Sequence, residues 1–535
     1  MYAKGHRQYP AALGRCLIAE VRDMYSVFPL CGKFQKTRSV FGVLLFFLLL
    51  LTAAHAEQLT AGTAKVDITD YDTGPVSDPL FVKALLLKSD TETLALITVD
   101  AVAVAEIGRI GSDYIPVVRA QLEQALGIPP AKVLFSASHC HGAVCGDVAE
   151  RTVQAVTEAS RQLVPVRIGA GSGHEDRIME NRRFRLHSGA EADSRHAYSL
   201  PPDEAIAGIG PVDPEIGVLR LDRYDGRTLA VVYNFACHPI LGVPGYANTA
   251  DLTGFASKVI EEELGGGAVA LFLQGCAGDI NPAFYKDTDH PRNAEIPGTL
   301  LGLGTLRAIR GIPCGDDTRF VVLNESLELP RADHAPRIAS LEHEQDRLLH
   351  SLKGTSLNLK TFLPLAVKYG LSPEYPSHYA HRYLHEDALG QNNLRALDAE
   401  NRENMRLYIE NIHTMEALTR VQTNLDLLRK HQAEYEAAEN PAVTVEVLAV
   451  RIGDFTLVTF PGEPSVQIGL NIKAQSPHAL TFVAGCTNGY IYYAPTAEQL
   501  RNTGAAQEDC DCILAPEWQQ RYETTVADLL SQLKD

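Results

Sequence analysis

The residues best suited to chemistry lie in the stretch AKVLFSASHCHGAVCGD, residues 131–147. An apolar, β-branched run opens this stretch and predicts a buried strand, which then breaks into small residues and His139-Cys140-His141. Side chains alternate along a strand, so both imidazoles of a His-x-His pair share one face and could bind one divalent metal ion. A buried pair of hydrogen-bonded histidines is the alternative interpretation.

Four further loops show the same pattern, in which small residues and an unusual polar side chain follow an apolar strand. Their sequences are NFACHPILG with His238, LQGCAGDINP with Asp279, FPGEPS with Glu463, and TNGYIYYAPT with Tyr490 and Tyr493. Each has an ordinary structural explanation by itself, as a core histidine, a turn residue or a helix-initiating glutamate. If the loops converge, two histidines, a glutamate and a tyrosine oxygen could form a catalytic zinc site.

The composition is that of a large globular protein, with 535 residues of which 45% are hydrophobic and 21% are charged. The formal net charge is −18 and no basic block occurs after residue 60, which argues against nucleic acid as a partner. The length permits more than one domain. Because no repeat and no low-complexity linker divides the chain, we expect one large domain.

The N-terminus has the pattern of a signal peptide. Basic residues within 33–38 precede the apolar run VFGVLLFFLLLL (residues 40–51), and Ala-His-Ala follows as a cleavage site. Because this run is shorter than the roughly 20 residues of a membrane span, we expect residues 1–56 to be a cleaved signal peptide. Secretion or a periplasmic location would follow. An uncleaved membrane anchor is the alternative, and Met24 is an alternative start that would shorten the signal to a conventional length.

The order of the predicted elements indicates an α/β fold with central β-sheets flanked by helices. Strands are predicted at 81–88, 94–100, 133–135, 166–169, 216–221, 228–237 and 268–274, and helices at 107–126, 148–163 and 253–264. The strands 94–100 and 268–274 are almost wholly apolar, which predicts central positions in a sheet. Residues 171–212 are polar and lack periodicity, so we expect a loop region there.

The character of the chain changes at residues 335–440, where helical periodicity and many charges predict long amphipathic helices. Strands return at 443–452 and 455–460, and a final helix is predicted at 517–533. We therefore interpret the helical segment as an insertion in a catalytic domain that spans residues 57–535.

Two features of the insertion could serve a ligand. His378, His381 and His385 have the spacing of one helix face, and the apolar residues of 362–369 could line a lipid entry. No acidic residue completes a metal site around the histidines, so a surface position is the preferred interpretation for them. Plain packing against the body is preferred for the apolar residues.

In combination, the five loop sequences resemble the sequence blocks of the neutral, non-lysosomal ceramidase family. SASHCHGAV resembles the family's S-x-T-H-T-H-S-G-P block, NFACHPILG its F-A-x-H-P block, and LQGCAGDINP its Q-G-x-x-G-D-[VI]-[SN]-P block. FPGEPS resembles its P-G-E block, and TNGYIYYAPT its N-x-Y-x-x-Y-x-x-T block. The blocks follow the family's order over residues 61–496, apart from the helical segment.

The resemblance implies a zinc-dependent amidase in which a zinc-activated water attacks the amide carbonyl. The zinc ligands implied by position in the blocks are His139, His238, Glu463 and Tyr493. Tyr493 is chosen over Tyr490 because it is the second tyrosine of the Y-x-x-Y block. The implied substrate is ceramide or another N-acyl lipid, and association with a membrane surface is a further expectation.

The resemblance also implies catalytic roles for other residues. His141 corresponds to the second histidine of its block, near the scissile group. Arg182 corresponds to an Asn-Arg block and would polarise the carbonyl or hold the oxyanion. Asp279 is expected to hydrogen-bond a ligand histidine. Asn281 takes the position of a family serine, and an amide side chain cannot act as a nucleophile.

Two departures from the family widen the choice of substrate. Asn281 replaces the serine, and the sequence ends soon after the tyrosine block, where ceramidases carry a further C-terminal β-domain. One alternative is therefore a zinc hydrolase that acts on a non-lipid amide or an ester. A second alternative is a non-catalytic exported binding protein with a degenerate site, against which the intact His139, His238 and Glu463 argue.

Overall fold

The computed structural model describes residues 58–194, 200–377, 380–502, 504 and 506–534 of the chain. These residues fall within one unit of the chain, Glu57–Asp535. The predicted signal peptide of residues 1–56, and His378 of the predicted histidine triple, lie outside the described residues. None of the described helices combines the length and the apolar character needed to cross a membrane.

The body is built from strands and helices in alternation, and the segment between β14 and β15 is helical. The strands are β1 (Thr60–Asp67), β2 (Phe81–Lys88), β3 (Thr93–Val99), β4 (Val133–Ala137), β5 (Val164–His174), β6 (Met179–Asn181), β7 (Arg183–Leu186), β8 (Glu191–Asp193), β9 (Ile206–Ile209), β10 (Glu215–Arg223), β11 (Thr228–Phe235), β12 (Val269–Gln274), β13 (Ile280–Pro282), β14 (Phe320–Pro330), β15 (Ala442–Ile452), β16 (Phe455–Thr459), β17 (Glu463–Pro464), β18 (Leu480–Ala484) and β19 (Tyr493–Ala494). The α-helices are α1 (Tyr114–Leu126), α2 (Val148–Ser160), α3 (Asp251–Leu264), α4 (Glu295–Ile309), α5 (Ala335–Ser351), α6 (Leu359–Leu371), α7 (His381–Ala388), α8 (Asn393–Ala437), α9 (Val466–Gln475), α10 (Ala497–Leu500) and α11 (Trp518–Gln532).

An eight-stranded sheet with the order β12-β11-β10-β5-β1-β2-β3-β4 forms the centre of the body. Its inner neighbours are antiparallel. The pairs at its two ends, β11 with β12 and β3 with β4, are parallel. β1 and β5 are joined through two residue pairs, so the sheet divides there into two halves. The Nζ of Lys83 in β2 donates to the carbonyl of Ala270 in β12 (2.8 Å), which brings the two halves into contact.

A second sheet, with the order β14-β15-β16-β18, packs against the first. Apolar side chains of both sheets form one core, in which Leu219, Leu457 and Phe482 are buried. Gly217 of β10 allows a close approach, because a Cβ atom there would lie 2.3 Å from the Phe482 ring. β16 and β18 are parallel, so their carboxyl ends leave the sheet at the same edge.

Helices cover the outer faces of the body. α1 and α2 pack on the half that contains β1–β4, and α3 and α4 pack on the half that contains β10–β12. The C-terminal α11 covers the second sheet, where Trp518 packs on Phe460 with ring centroids 5.2 Å apart. In the helical segment, α5 and the 45-residue α8 pack together through Leu348, Leu418 and Leu425. His381 and His385 are exposed on α7.

The predicted α/β class is confirmed, but three predicted elements are wrong in detail. Residues 171–212 contain the end of β5 and the strands β6–β9. Arg183 of β7 is buried there because it pairs with the buried Glu508 and Asp509. The strand predicted at 268–274 lies at the end of the eight-stranded sheet, where packing buries both of its faces. The helix predicted at 107–126 begins only at Tyr114, because turns that contain glycines precede it.

Two further elements have no clear signal in the sequence. β14 contains the polar run Asn-Glu-Ser and a further glutamate, and α4 contains three glycines, which lower helix propensity. The glycines of α4 serve packing instead, because a Cβ atom on Gly298 would lie 2.5 Å from the carbonyl oxygen of Leu252 in α3. The close contact of α3 with α4 therefore stabilises a helix that its own sequence disfavours.

We expect Gly217→Ala to destabilise the folded protein by about 1–3 kcal/mol, because the added methyl group overlaps the Phe482 ring and forces the sheets apart. Gly354→Ala is the matched control, since a Cβ atom there meets nothing within 4 Å. Denaturant titration measures the free energy of unfolding of both variants. Equal stability would show that the sheets do not approach each other at Gly217.

Candidate metal centre

Several strand ends meet at one point of the body, and glycines make this approach possible. A Cβ atom on Gly275, after β12, would lie 2.9 Å from backbone atoms of Ala236, after β11. One on Gly278 would lie 2.5 Å from the carbonyl oxygen of Glu463. The backbone N–H of Gly278 donates to the carbonyl of Pro464 (2.9 Å), which ties the loop after β12 to the loop after β16. The glycine-rich motifs thus bring main chains together and place polar side chains of separate loops in a common space.

His139 leaves β4 with a left-handed backbone (φ 68°), a conformation that is uncommon for residues other than glycine. Its backbone N–H donates to the carbonyl of Ala101 (2.9 Å), and its Nδ1 lies 2.6 Å from the carbonyl oxygen of Val102. Because a carbonyl can only accept, Nδ1 carries a ring proton and Nε2 is left to offer a lone pair. The buried Nε2 lies 3.3 Å from Oε2 of Glu463.

His238 is held in the same way after β11. Its backbone N–H and its Nδ1 both donate to the carbonyl of Ile280, at 3.2 and 2.9 Å. Its Nε2 faces Glu463 and lies 2.8 Å from Oε2. The hydroxyl of Tyr493 lies 3.4 Å from the same nitrogen. Both imidazoles therefore have a fixed tautomer and direct Nε2 toward one carboxylate.

Glu463 is positioned by a short parallel pairing of β17 with β19, in which it faces Tyr493. Its Oε2 faces the two histidines, while its Oε1 accepts a hydrogen bond of 2.5 Å from the hydroxyl of Tyr490. The two tyrosines thus differ in position, since Tyr490 holds the carboxylate and Tyr493 lies beside His238 Nε2.

The buried His139, His238 and Glu463 form a group whose ligand atoms all lie within 4.8 Å of one another. Around a tetrahedral zinc ion with bonds of about 2.0–2.1 Å, ligand atoms lie roughly 3.3 Å apart. The distances of 3.3 Å (His139 to Glu463) and 3.4 Å (His238 to Tyr493) fit this spacing, and 2.8 Å (His238 to Glu463) is shorter. Lone pairs that face a carboxylate repel it unless a cation lies between them. The donor set therefore fits a divalent metal ion with nitrogen and oxygen ligands.

The pKa values of the group reflect the same need for positive charge. Burial by itself would lower the pKa of His139, but Cys486 and Glu463 outweigh it and raise this pKa well above its ordinary value. Burial and the nearby charge of Arg182 lower the pKa of His238 to about 4. Burial would raise the pKa of Glu463, but the two histidines lower it well below its usual range. The carboxylate thus stays ionised and is compensated by a cation, which is a proton on His139 when no metal is bound.

Arg182 is buried beside this group, and protein acceptors hold its guanidinium in place. Its Nε donates to Oε1 of Glu508 (2.7 Å), its Nη1 to Oδ1 of Asn281 (2.9 Å), and its Nη2 to the carbonyl of Gly278 (2.5 Å). Its Cζ lies 5.6 Å from the centroid of the Tyr493 ring. Asn281 is also buried, and its Nδ2 has no hydrogen-bond partner among the described residues. An arginine and an unused N–H donor therefore lie together near the metal centre.

Asp279 holds the loop after β12 rather than a histidine. Its Oδ1 accepts from the backbone N–H of Val466 (2.8 Å), and its Oδ2 accepts from Nδ2 of Asn181 (3.1 Å). The hydrogen bond expected between Asp279 and a ligand histidine is made by a backbone carbonyl, that of Ile280. Asp279 instead fixes the start of α9, where a carboxylate stabilises the helix N-terminus.

His141 does not join His139 in the metal group, contrary to the expectation that both imidazoles share one face. The left-handed backbone of His139 ends the strand alternation, so His141 is exposed, with its ring 6.1 Å from that of His139. Its side chain lines a cavity of about 310 Å³, whose walls include Ile240, Val243 and Arg292. His141 therefore faces this cavity and lies outside the candidate metal group.

Sequence patterns do not single out Glu508, which pairs with Arg182 across 326 residues of the chain. Burial and the neighbouring Glu508 raise the pKa of Asp193 to about 8. The one available signal for Glu508 is the acidic sequence QEDCD, residues 507–511. Acidic residues are rarely buried unless they are paired, so their burial would require a basic partner. The adjacent Cys510 and Cys512 are buried free thiols.

The fold and this site define a mixed α/β protein with a buried His-His-Glu group, and two solved structures are similar to it. One is the crystal structure of neutral ceramidase from Pseudomonas aeruginosa, with a TM-score of 0.55 and 16% sequence identity over 89% of this chain and 74% of that chain. The other is a ceramidase complexed with C2, with a TM-score of 0.56 and 17% identity over 89% and 75% of the chains. No protein-family model and no curated protein matches the sequence. The chain therefore has the fold of the neutral ceramidases.

We expect the purified protein to retain zinc after dialysis, and His139→Ala and Glu463→Gln to lose it, because each removes one of three ligands. His141→Ala is the matched control and is expected to retain zinc, since this exposed ring lies outside the ligand group. Elemental analysis of metal per chain measures the outcome. Retention by His139→Ala, or loss from His141→Ala, would contradict the assignment of the ligands.

Proposed function

We propose that this protein is a zinc-dependent hydrolase that cleaves the amide bond of an N-acyl lipid. The observation that carries the proposal is the buried group of His139, His238 and Glu463, which lies on loops that resemble ceramidase blocks. The fold that the chain shares with neutral ceramidases supports this reaction class. Export stays a prediction from the N-terminal segment.

The residues around the metal centre have chemistry suited to amide hydrolysis. When bound there, zinc supplies a water of lowered pKa and polarises a carbonyl. Arg182 and the unused Nδ2 of Asn281 would stabilise the negative charge that develops on the carbonyl oxygen. The exposed His141 would give a proton to the leaving amine, because imidazole exchanges protons near neutral pH. Tyr490 would keep the Glu463 carboxylate in position through its hydrogen bond.

A second candidate is a zinc hydrolase that acts on a non-lipid amide or an ester. Asn281 favours it, because the chain departs here from the serine of the ceramidases that it resembles. A non-catalytic binding protein has less support, since such a protein has no need to bury two imidazoles against a carboxylate.

A substrate panel tests the reaction. We expect the zinc-loaded protein to hydrolyse fluorescent N-acyl lipids, and Glu463→Gln to lower kcat/KM at least about a hundredfold, because it removes a metal ligand. His413→Ala, an exposed histidine of α8, is the matched control and is expected to leave kcat/KM unchanged. Turnover of soluble amides or esters alone would favour the second candidate. If no member of the panel is turned over, the hydrolase proposal is wrong.

Helix α6 supports an association with membrane lipid. Every fourth residue of this helix is an exposed apolar side chain, namely Leu359 (59%), Leu363 (53%), Val367 (61%) and Leu371 (82%). The helix also carries Lys360 and Lys368 and no acidic residue, although the net charge of the chain is −18. An apolar stripe flanked by lysines is typical of helices that lie in the headgroup region of an anionic bilayer. We propose that this face of α6 contacts the membrane that carries the substrate.

We expect the double variant Leu363→Glu/Val367→Glu to bind vesicles of anionic phospholipid at least about tenfold more weakly than the wild type. Each substitution removes roughly 1.5–3 kcal/mol of apolar burial and adds a negative charge. Vesicle co-sedimentation measures the binding. Leu349→Glu on α5, at a position that is 51% exposed, is the matched control. If the double variant and the control bind vesicles equally, α6 is not the contact.

A further inference from the structure

If the proposed amide hydrolysis holds, the charged residues beside the cavity of His141 indicate the charge of the substrate. We propose that Lys286 and Arg292 form a subsite for an anionic group, a carboxylate or a phosphate, on the leaving half of the substrate. The preferred substrates are then N-acyl compounds with an acidic headgroup. N-acyl sphingosines, whose headgroup is neutral, are the poorer substrates.

Lys286 and Arg292 lie against the same aromatic ring. The Nζ of Lys286 is 4.8 Å, and the Cζ of Arg292 is 4.9 Å, from the centroid of the Tyr285 ring. Across the described part of the chain, neither side chain has an ion pair or a hydrogen bond to an acidic residue. Two adjacent cations without a carboxylate are unusual in a chain of net charge −18. A ligand that supplies the negative charge accounts for them.

Two acidic residues of this region have partners other than the cation pair. Oδ2 of Asp287 accepts a hydrogen bond from Nδ1 of His290 (2.6 Å). Asp251, in the wall of the cavity, accepts two backbone N–H groups. Among the described residues, neither of these two carboxylates pairs with Lys286 or Arg292.

The charge of Lys286 also interacts with that of Arg182, beside the candidate metal centre. Burial, followed by the charges of Arg182 and Arg292, lowers the pKa of Lys286 to about 8. The lysine therefore lies within electrostatic reach of both the buried arginine beside the metal centre and the arginine of the cavity.

The cavity suits a small polar headgroup. Arg292 and His141 line it together, and its volume of about 310 Å³ is at the lower end of the range for small-ligand sites. The His141 ring lies 6.1 Å from the ring of the metal-site residue His139, which places the cavity beside the reacting bond. Arg292 places a positive charge in the wall of the cavity, which suits the acidic leaving half of the substrate better than the acyl chain.

Three matched amides test the proposal: N-benzoylglycine, N-benzoyl-O-phosphoethanolamine and the neutral N-benzoylethanolamine. Calorimetry on the zinc-loaded protein measures their dissociation constants, and kcat/KM is measured for those that are hydrolysed. We expect at least one of the two anions to bind about a hundredfold more tightly than the neutral amide, about tenfold for each charged contact. The anion that binds more tightly identifies the subsite as one for carboxylate or for phosphate.

Substitutions separate the subsite from the metal centre. We expect Lys286→Met and Arg292→Leu each to reduce the anion preference about tenfold, and the double variant to abolish it, with binding of the neutral amide unchanged. Lys258→Met, which removes an exposed lysine of α3, is the charge-matched control. A preference that survives in the double variant would mean that the anion binds the metal, and would overturn the proposal.

The two proposals fail in different ways. Hydrolysis of amides without an anion preference in the wild type would overturn the subsite and leave the hydrolase in place. A preference in binding that is lost in the double variant, without turnover of any amide, would support the subsite and overturn the hydrolase.

Discussion

A carboxylate buried between two imidazoles is the interaction on which the architecture of this protein depends. Glu463 is 5% exposed, and an unpaired charge at such a position costs several kcal/mol. His139, His238 and Tyr490 surround it, and they reach it only because the ends of β4 and β11 and the loops after β16 and β18 meet. The strained backbone of His139 (φ 68°) persists because these loops hold it in place.

The helical segment between β14 and β15 contacts the loop that carries the tyrosines. Lys430 of α8 donates to the hydroxyl of Tyr492 (2.9 Å), and Nε2 of His431 lies 3.0 Å from Oδ1 of Asp511. The carbonyl of Asp511 in turn accepts the backbone N–H of Tyr493 (3.1 Å). The α8 helix thus holds the loop that carries Tyr492 and Tyr493. The inserted segment, which also contains α6, is connected to the candidate metal centre through this loop.

Much of the fold and part of the site can be predicted from the sequence because their signals are local. Apolar runs that end in small residues identify β4 and β11, and the residues after them include His139 and His238. Local signals fail where packing overrides them. α4 forms despite its glycines, and β12 is apolar because two layers cover it rather than because it is central. The polar strand β7 escapes detection because its buried Arg183 is paired with a distant residue, Asp509.

The residue types and their spacing specify the chemistry that is available: two histidines, a glutamate and tyrosines at strand ends, beside glycines that permit close approach. The role of each of these residues depends on contacts between distant parts of the chain. The backbone conformation of His139 separates its ring from that of His141, and the pairing of Arg182 with Glu508 spans 326 residues. Residue type and alternation are properties of neighbours in the chain. Contacts between strand ends depend on sheet order and on which loops pack backbone to backbone, and no local pattern encodes those.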